Sequence, residues 1–417
     1  MEYLPRSIDF QLDDLMSFEA AVAIDGPKGV GKTATASRRA QKIWRVDNPA
    51  ERAVLEADPY FADAPDGTLL IDEWQHHPDV WNSVRRLVDD SAPAGRFLLT
   101  GSASPITGIG THSGAGRIAS ARMRPMAFYE RGYLEPTVSL KSLLEGTTVK
   151  ISGSSPLTAA SYFQAITKSG FPGIYGLTER QVQTRLDTYL QRIIDRDLPE
   201  AGLSLRKPLL LRRWMSAYAA ASSTPTSYSN ILDSTTSGEG TQPSRATTEN
   251  YREHLAQIWL LDPLPAWEPS FGNPFKRQKY APKHHLADPA LAARLLGLTS
   301  KSLADRRGAP MAGPLLESLA TLTVRVAAEA IGAKVGHLRT SSGDHEVDLV
   351  VEGFDGEVLA LEVKLSAHVD NKDVRHLLWL RDQLPDRVNN VAVLYTGTEA
   401  YQRQDGVAVI PLSLLGL

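Results

Sequence analysis

Gly26-Pro27-Lys28-Gly29-Val30-Gly31-Lys32-Thr33-Ala34 is the stretch that decides the fold of the first part of this chain. A glycine followed after four residues by Gly-Lys-Thr is the pattern of a loop that cradles phosphates between a buried strand and a helix. The flanks have the required character. Ala21-Val22-Ala23-Ile24 is an apolar run that suits a buried strand, and Thr33 to Lys42 contains no helix breaker. Backbone N–H groups of the glycine turn and the positive end of the new helix would face the phosphates. Lys32 would reach the β and γ phosphates, and Thr33 would ligate Mg2+. Pro27 gives up one N–H at a variable position of the loop. The expectation is a nucleoside triphosphate site over Gly26 to Ala34.

A second apolar run, Thr68-Leu69-Leu70-Ile71, leads directly into Asp72-Glu73. It delivers two carboxylates at a strand's C-terminal end, where open α/β sheets bind their ligands. Asp72 would complete the Mg2+ shell and Glu73 would polarise the attacking water, which argues for hydrolysis as well as binding. Taken alone, such a run is also what a strand entering a solvated turn looks like. A third strand, Arg96-Phe97-Leu98-Leu99, runs into Thr100-Gly101-Ser102 and would set a hydroxyl beside Asp72.

These segments, with Gly116-Arg117, Met123-Arg124-Pro125-Met126 and Glu130, resemble the bacterial AAA-superfamily ATP-binding proteins that carry a C-terminal domain of unknown function. The resemblance implies an α/β fold with a P-loop NTPase core of AAA type, and ATP and Mg2+ as cofactors. It also implies that Thr100 or Ser102 is the sensor of the γ phosphate and that Arg117 begins the last strand of the core. Arg117, Arg122 or Arg124 would then stabilise transition-state charge in a neighbouring subunit, which requires a homo-oligomer. The other reading makes them solvated arginines on a strand edge.

Near the C-terminus, Glu346-Val347-Asp348-Leu349-Val350-Val351, a turn at Gly353 to Gly356, and Val358-Leu359-Ala360-Leu361-Glu362-Val363-Lys364 form a second constellation. It looks like a restriction-endonuclease-type core, whose signature is an aspartate followed by Glu-x-Lys. Strand alternation puts Glu362 and Lys364 on one face while Leu361 and Val363 enter the core, with Asp348 on the neighbouring strand. Two carboxylates would hold Mg2+ and the lysine would orient water. Glu317, on the amphipathic stretch Leu315 to Ala328, resembles the helix glutamate that some of these nucleases add. A retained fold with structural charges explains the same residues.

The middle reads as mostly helical. Val182, Leu186, Leu190, Ile193 and Ile194 recur at helical spacing over Glu179 to Leu198, which Pro199 is expected to stop, and Leu209 to Ala221 is a further helix. Serine, threonine and glycine dominate Ser222 to Asn250, with a loop expected around Ser237-Gly238-Glu239-Gly240, before a helical run from Arg245 to Leu260. Tyr228 to Leu261 resembles the helix-turn-helix carried after such ATPase cores, which would offer Arg245, Thr247, Thr248, Asn250 and Arg252 to a major groove. A helix-turn-helix used for protein contact is the alternative. Pro269 to Ala287 interleaves Lys276, Arg277, Lys279 and Lys283 with Phe271, Phe275 and Tyr280, which suits DNA and equally suits a solvated basic loop.

At 417 residues the chain has room for about two to three domains. The expected organisation is an ATPase core over 1–136, a helical connection over 137–205, a winged-helix-like module over 206–285 and a nuclease-like α/β domain over 286–417. A net charge of −3 gives no global attraction to nucleic acid, so DNA contact must come from local patches. The absence of cysteine excludes disulfides and thiolate zinc sites, and a phosphate loop suggests the cytoplasm with its triphosphate pool. No run approaches the roughly 18 apolar residues of a membrane span, and Met1 to Arg6 does not read as a signal peptide. Three outputs remain open: an ATP-driven oligomer acting on DNA, an ATP-gated Mg2+ nuclease, and a switch that binds protein partners.

Overall fold

The computed structural model describes residues 3–102, 115–147, 150–203, 205, 207–235, 243–269, 281–340 and 343–417. The chain divides into two compact units, one formed by Met1–Arg124 with His254–Leu260 and the other by Pro125–Glu253 with Leu261–Leu417.

The first unit is built on five parallel strands: β1 (Ala21–Asp25), β2 (Lys42–Arg45), β3 (Leu69–Asp72), β4 (Phe97–Gly101) and β5 (Ala119–Arg122), in the order β2-β3-β4-β1-β5. The inner strands read as unbroken apolar runs because a parallel sheet is covered on both faces. All of Leu69 to Asp72 and Phe97 to Gly101 are buried. Trp74 and Trp81 close one side of the core with ring centroids 4.6 Å apart. The register sets Asp72 opposite Thr100, and Asp25 opposite both Gly101 and Arg122. Parallel pairing thus gathers these polar residues on the C-terminal edge of the sheet. The helix after the glycine loop is short, Lys32–Ser37. The chain turns back early because Trp44, on the strand that opens at Lys42, is buried in the core.

The second unit contains a sheet of seven strands. In chain order its strands, with the small parallel pair β6 and β14, are β6 (Val138–Ser139), β7 (Gly153–Ser154), β8 (Lys334–Arg339), β9 (Glu346–Glu352), β10 (Val358–Lys364), β11 (Val388–Tyr395), β12 (Glu399–Gln402), β13 (Ala408–Pro411) and β14 (Leu415–Gly416). The large sheet runs β7-β12-β13-β11-β10-β9-β8. β9 and β10 are antiparallel neighbours, whereas β10 and β11 run parallel across the Asn371–Gln383 helix. Val374, Leu377 and Leu380 of that helix pack on Val358 and Ala360, so β10 is buried on both faces until Glu362. The 22-residue Ala309–Ala330 helix lies against β8, β9 and β10.

Helices fill the rest of this unit. The Glu179–Arg192 helix is capped reciprocally by Thr178 and Gln181. Pro199 does not end it as expected: the chain widens into a π turn over Ile193–Asp197 and continues through Leu198–Glu200. Proline is tolerated there because it sits at the start of that last helical turn. Ser227 caps the Tyr228–Ser234 helix, and Arg245–Gln257 follows, while Ser237 to Gly240 lie outside the described residues. Two antiparallel bridges then join Leu261 to Leu286 and Leu264 to Lys283.

Candidate nucleotide site and a lysine-filled carboxylate cluster

The glycine loop connects β1 to the Lys32–Ser37 helix with positive φ at Gly26 (153°), Gly29 (84°) and Gly31 (106°). Gly26 also lies where no side chain fits, since a Cβ there would stand 2.1 Å from the Met123 carbonyl oxygen. The buried Lys32 Nζ donates to the carbonyls of Gly26 (2.8 Å) and Pro27 (3.0 Å), which turns the ammonium back over the loop. Burial pushes this lysine down to about 8, against the pull of Glu73, Asp25 and Asp72. Val30, also in the loop, accepts a bond from Arg6 through its carbonyl (3.2 Å), and the same guanidinium reaches the Arg124 carbonyl (2.8 Å). Arg6 therefore ties the loop to the chain end of β5. The sequence offered no sign of this, because an arginine far upstream of a motif looks like any surface cation.

Asp72 gathers two hydroxyls on one oxygen. Thr33 Oγ1 donates to Asp72 Oδ1 at 2.7 Å, and Thr100 Oγ1 donates to the same atom. Glu73 is held apart from them, its Oε2 accepting from Ser102 Oγ (3.0 Å) and from the Gln75 amide. Its backbone is left-handed (φ 55°, ψ 45°), a conformation that costs an L residue roughly 1–2 kcal/mol. Of the hydroxyls singled out in the sequence, Thr100 is therefore on Asp72 and Ser102 on Glu73. Gln75 and Asp25 join the edge without a sequence signal of their own. Burial pushes Asp25 up to about 6, although Lys32 and Arg122 oppose the rise.

The arginines separate. Arg117 precedes the N-terminal end of β5 and pairs with Asp89 (2.8 Å) at the end of the Asp79–Asp89 helix, on the sheet edge away from the glycine loop. Arg122 stands beside Asp25 in the sheet register with its guanidinium 4.6 Å from the Trp259 ring centroid. Arg124 is buried. The residues at the loop fit a Mg2+ nucleotide: Thr33 and Asp72 offer the hard oxygens, and the glycine turn and Lys32 offer the phosphate donors.

The second unit brings Glu317, Asp348, Glu362 and Lys364 together, with an unforeseen fifth member. The Lys283 ammonium lies among the acids, 2.8 Å from Glu317 Oε1, 2.8 Å from Asp348 Oδ1 and 3.3 Å from Glu346 Oε1. Lys283 is only 1% exposed, which corrects its place in the expected basic surface. The reason is tertiary. Lys283 exchanges two backbone hydrogen bonds with Leu264, and its neighbour His285 sets Nδ1 2.8 Å from Ser318 Oγ, so the segment is sewn into the fold. Burial would lower the Lys283 ammonium, but Asp348, Glu317 and Glu346 outweigh it and hold it well above its ordinary value. Burial and then the Lys283 charge push His285 down to about 3, so it is neutral.

The carboxylates respond unequally. Asp348 would be raised by burial, but Lys283 and a hydrogen bond from the Val363 N–H (3.0 Å) hold it below its ordinary value. Burial, with Asp348 second, pushes Glu317 up to about 8, and the same two causes push Glu362 up to about 8. Glu362 Oε1 accepts from Lys364 Nζ at 2.8 Å. Among the described residues, no group of three or more His, Cys, Asp or Glu side chains is set to hold a metal ion.

Two of the expected DNA residues, Arg245 and Arg252, share the Arg245–Gln257 helix. Arg245 is exposed at the start of its helix, whereas Arg252 stacks over the Tyr228 ring at 4.6 Å. Lys276, Arg277 and Lys279 lie outside the described residues. Among the described residues no helix is long and apolar enough to cross a membrane.

Comparison with known families divides the chain into three matches. Residues 19–132 match an AAA domain, residues 159–302 a domain of unknown function (DUF8612) and residues 312–415 a second domain of unknown function (DUF4143). The chain thus carries an AAA-superfamily domain followed by domains of unknown function. An uncharacterized protein of Mycobacterium bovis and one of Mycobacterium tuberculosis are each 27% identical to it over 403 residues, covering 94% of this chain and 79% of the relative.

Proposed function

We propose that this chain is a Mg2+-dependent ATPase whose site is the edge formed by Gly26 to Ala34, Asp72, Glu73, Thr100 and Ser102. The observation that carries the reading is the convergence of Thr33 and Thr100 on one oxygen of Asp72, beside a separately held Glu73. Magnesium would supply charge neutralisation at the β and γ phosphates. Thr33 and Asp72 hold the ion in this reading. Lys32 leaves the Gly26 and Pro27 carbonyls to meet phosphate oxygens. Glu73, fixed by Ser102 and Gln75, orients water towards the γ phosphate, and Thr100 senses the γ phosphate beside Asp72.

The same reading makes the protein a homo-oligomer that acts on DNA. Arg117, exposed and away from its own loop, suits a charge offered to a neighbouring copy. Arg245 and the run Lys276, Arg277 and Lys279 supply local charge for a phosphate backbone in a winged-helix-like module. The nuclease alternative is the weaker one, because an ammonium already compensates the carboxylates of the endonuclease-like core.

Titration with ATP and Mg2+, followed by phosphate release, tests the core of this reading. The parent should bind and turn over ATP only with the divalent ion, and Lys32→Ala should do neither. Turnover in Lys32→Ala equal to that of the parent would refute it. For the DNA part, neutralising Lys276, Arg277 and Lys279 together should weaken binding and flatten its salt dependence.

A further inference from the structure

The acids around Lys283 come from the Ala309–Ala330 helix and from β9, and the lysine comes from a segment bonded to Leu264. Three carboxylate oxygens therefore surround one nitrogen at 2.8, 2.8 and 3.3 Å. Hard oxygens converging on a single positive centre is the arrangement that a divalent ion demands, although a metal takes shorter bonds, about 2.3–2.6 Å for Ca2+. The spacing here is that of an ammonium, in keeping with the absence of a metal-ready group among the described residues. A second observation points the same way. Glu362 is 7% exposed, and its Oε2 has no hydrogen-bond partner. That carboxylate lines, with Glu317, Glu346, Asp348 and Lys364, a cavity of about 430 Å³. A buried carboxyl oxygen without a partner, on a side chain that lines the same cavity, is one more ligand than Lys283 uses.

We propose that the Lys283 ammonium is the resident cation of a divalent-cation site, standing where a hard metal ion would stand between Glu317, Glu346 and Asp348, with Glu362 as the unused ligand. The anchoring of residues 281–286 makes this ammonium a tethered competitor. Lys283 and Leu264 bond both ways through the backbone, and His284 Nε2 lies 2.8 Å from the Thr226 carbonyl oxygen. An ion from solution must displace a group that cannot diffuse away, so the parent protein leaves the site to its lysine. Removing the ammonium leaves carboxylates that must contract by roughly 0.2–0.5 Å at Glu317 and Asp348, and by roughly 0.7–1.0 Å at the more exposed Glu346, to bind Ca2+.

The full chain is titrated with Mn2+ and Ca2+ without nucleotide, and thermal melting is followed in parallel. The parent should show no tight ion and no change in melting between chelator and millimolar Ca2+. Lys283→Ala should melt lower in chelator, gain one tightly bound ion and recover melting temperature when Ca2+ is added, while Lys283→Arg should behave as the parent. A folded Lys283→Ala protein that gains neither an ion nor stability overturns the proposal. So does tight ion binding by the parent that is lost in Asp348→Asn. If Lys283→Ala is insoluble, the double variant Glu317→Gln, Lys283→Ala removes the ammonium and one of its acids while keeping a side-chain carbonyl oxygen for the ion. It must show the same gain, and its failure to do so, with or without cation during refolding, also overturns the proposal.

Discussion

The two carboxylate clusters are built from similar residues and are completed in opposite ways. In the first unit, Asp72 and Glu73 are met by hydroxyls and an amide, and the nearby Lys32 turns to carbonyl oxygens instead of to either acid. In the second, Glu317, Glu346 and Asp348 close directly on an ammonium. Hydroxyls satisfy lone pairs without cancelling charge, so the first cluster keeps its affinity for a cation that arrives with a nucleotide. The second has spent its charge internally. Acidic composition alone therefore does not define a metal site; what the acids bond to decides it.

The sharpest way to break this contrast is to remove the internal cation. Lys283→Met strands buried carboxylates, and breaking a buried pair costs about 3–5 kcal/mol, to be read from denaturant midpoints in chelator. A loss below about 1 kcal/mol would mean that the acids are already protonated without the lysine. Next in size is Lys32→Ala, which should lower ATP turnover on the order of 10²-fold or more, as loss of a charge-stabilising donor does. Its melting should be close to that of the parent, because Lys32 makes its bonds to loop carbonyls.

A smaller effect separates the clusters by pH. Glu317 and Glu362 hold protons up to about 8 when folded, whereas in the unfolded chain they release them near the ordinary glutamate value of about 4.3. Between those values the folded state binds more protons. The stability these two residues give is then complete below the unfolded value and is lost as pH rises through about 8. Asp348, shifted the other way, gives stability that fades only in acid. Glu362→Gln, which mimics the protonated side chain, should flatten the fall in melting temperature between mildly acidic and mildly alkaline buffer. A slope identical to that of the parent would contradict the assignment. The smallest effect belongs to Arg117→Ala. Its pair with Asp89 is solvated, so melting should not change, and turnover should fall only where copies associate.

The nucleotide edge was legible because its signals are local. Gly26 to Thr33 fixes the loop within eight residues, and Asp72-Glu73 and Thr100 each follow an apolar run whose end is their position. The Asp348 and Glu362 strands were legible as a hairpin for the same reason. Lys283 was not. Its neighbours in sequence are basic and aromatic, and its partners come from residues 317, 346 and 348, so nothing within a short window distinguishes it from Lys279. Pro199 shows the limit of a local rule from the other side: a breaker became the start of a further helical turn. Arg6 reaches Val30 and Arg124, and Gln75 reaches Ser102, through contacts that no short window of sequence shows.

The measurement that tests the contrast most directly is the number of Mn2+ ions bound per chain, with and without a non-hydrolysable ATP analogue. No tight ion is expected in the nucleotide-free protein and one per chain when the analogue is present, lost in Lys32→Ala and unchanged in Asp348→Asn. A tight ion without nucleotide that disappears in Asp348→Asn would contradict that expectation, as would nucleotide binding indifferent to Mn2+.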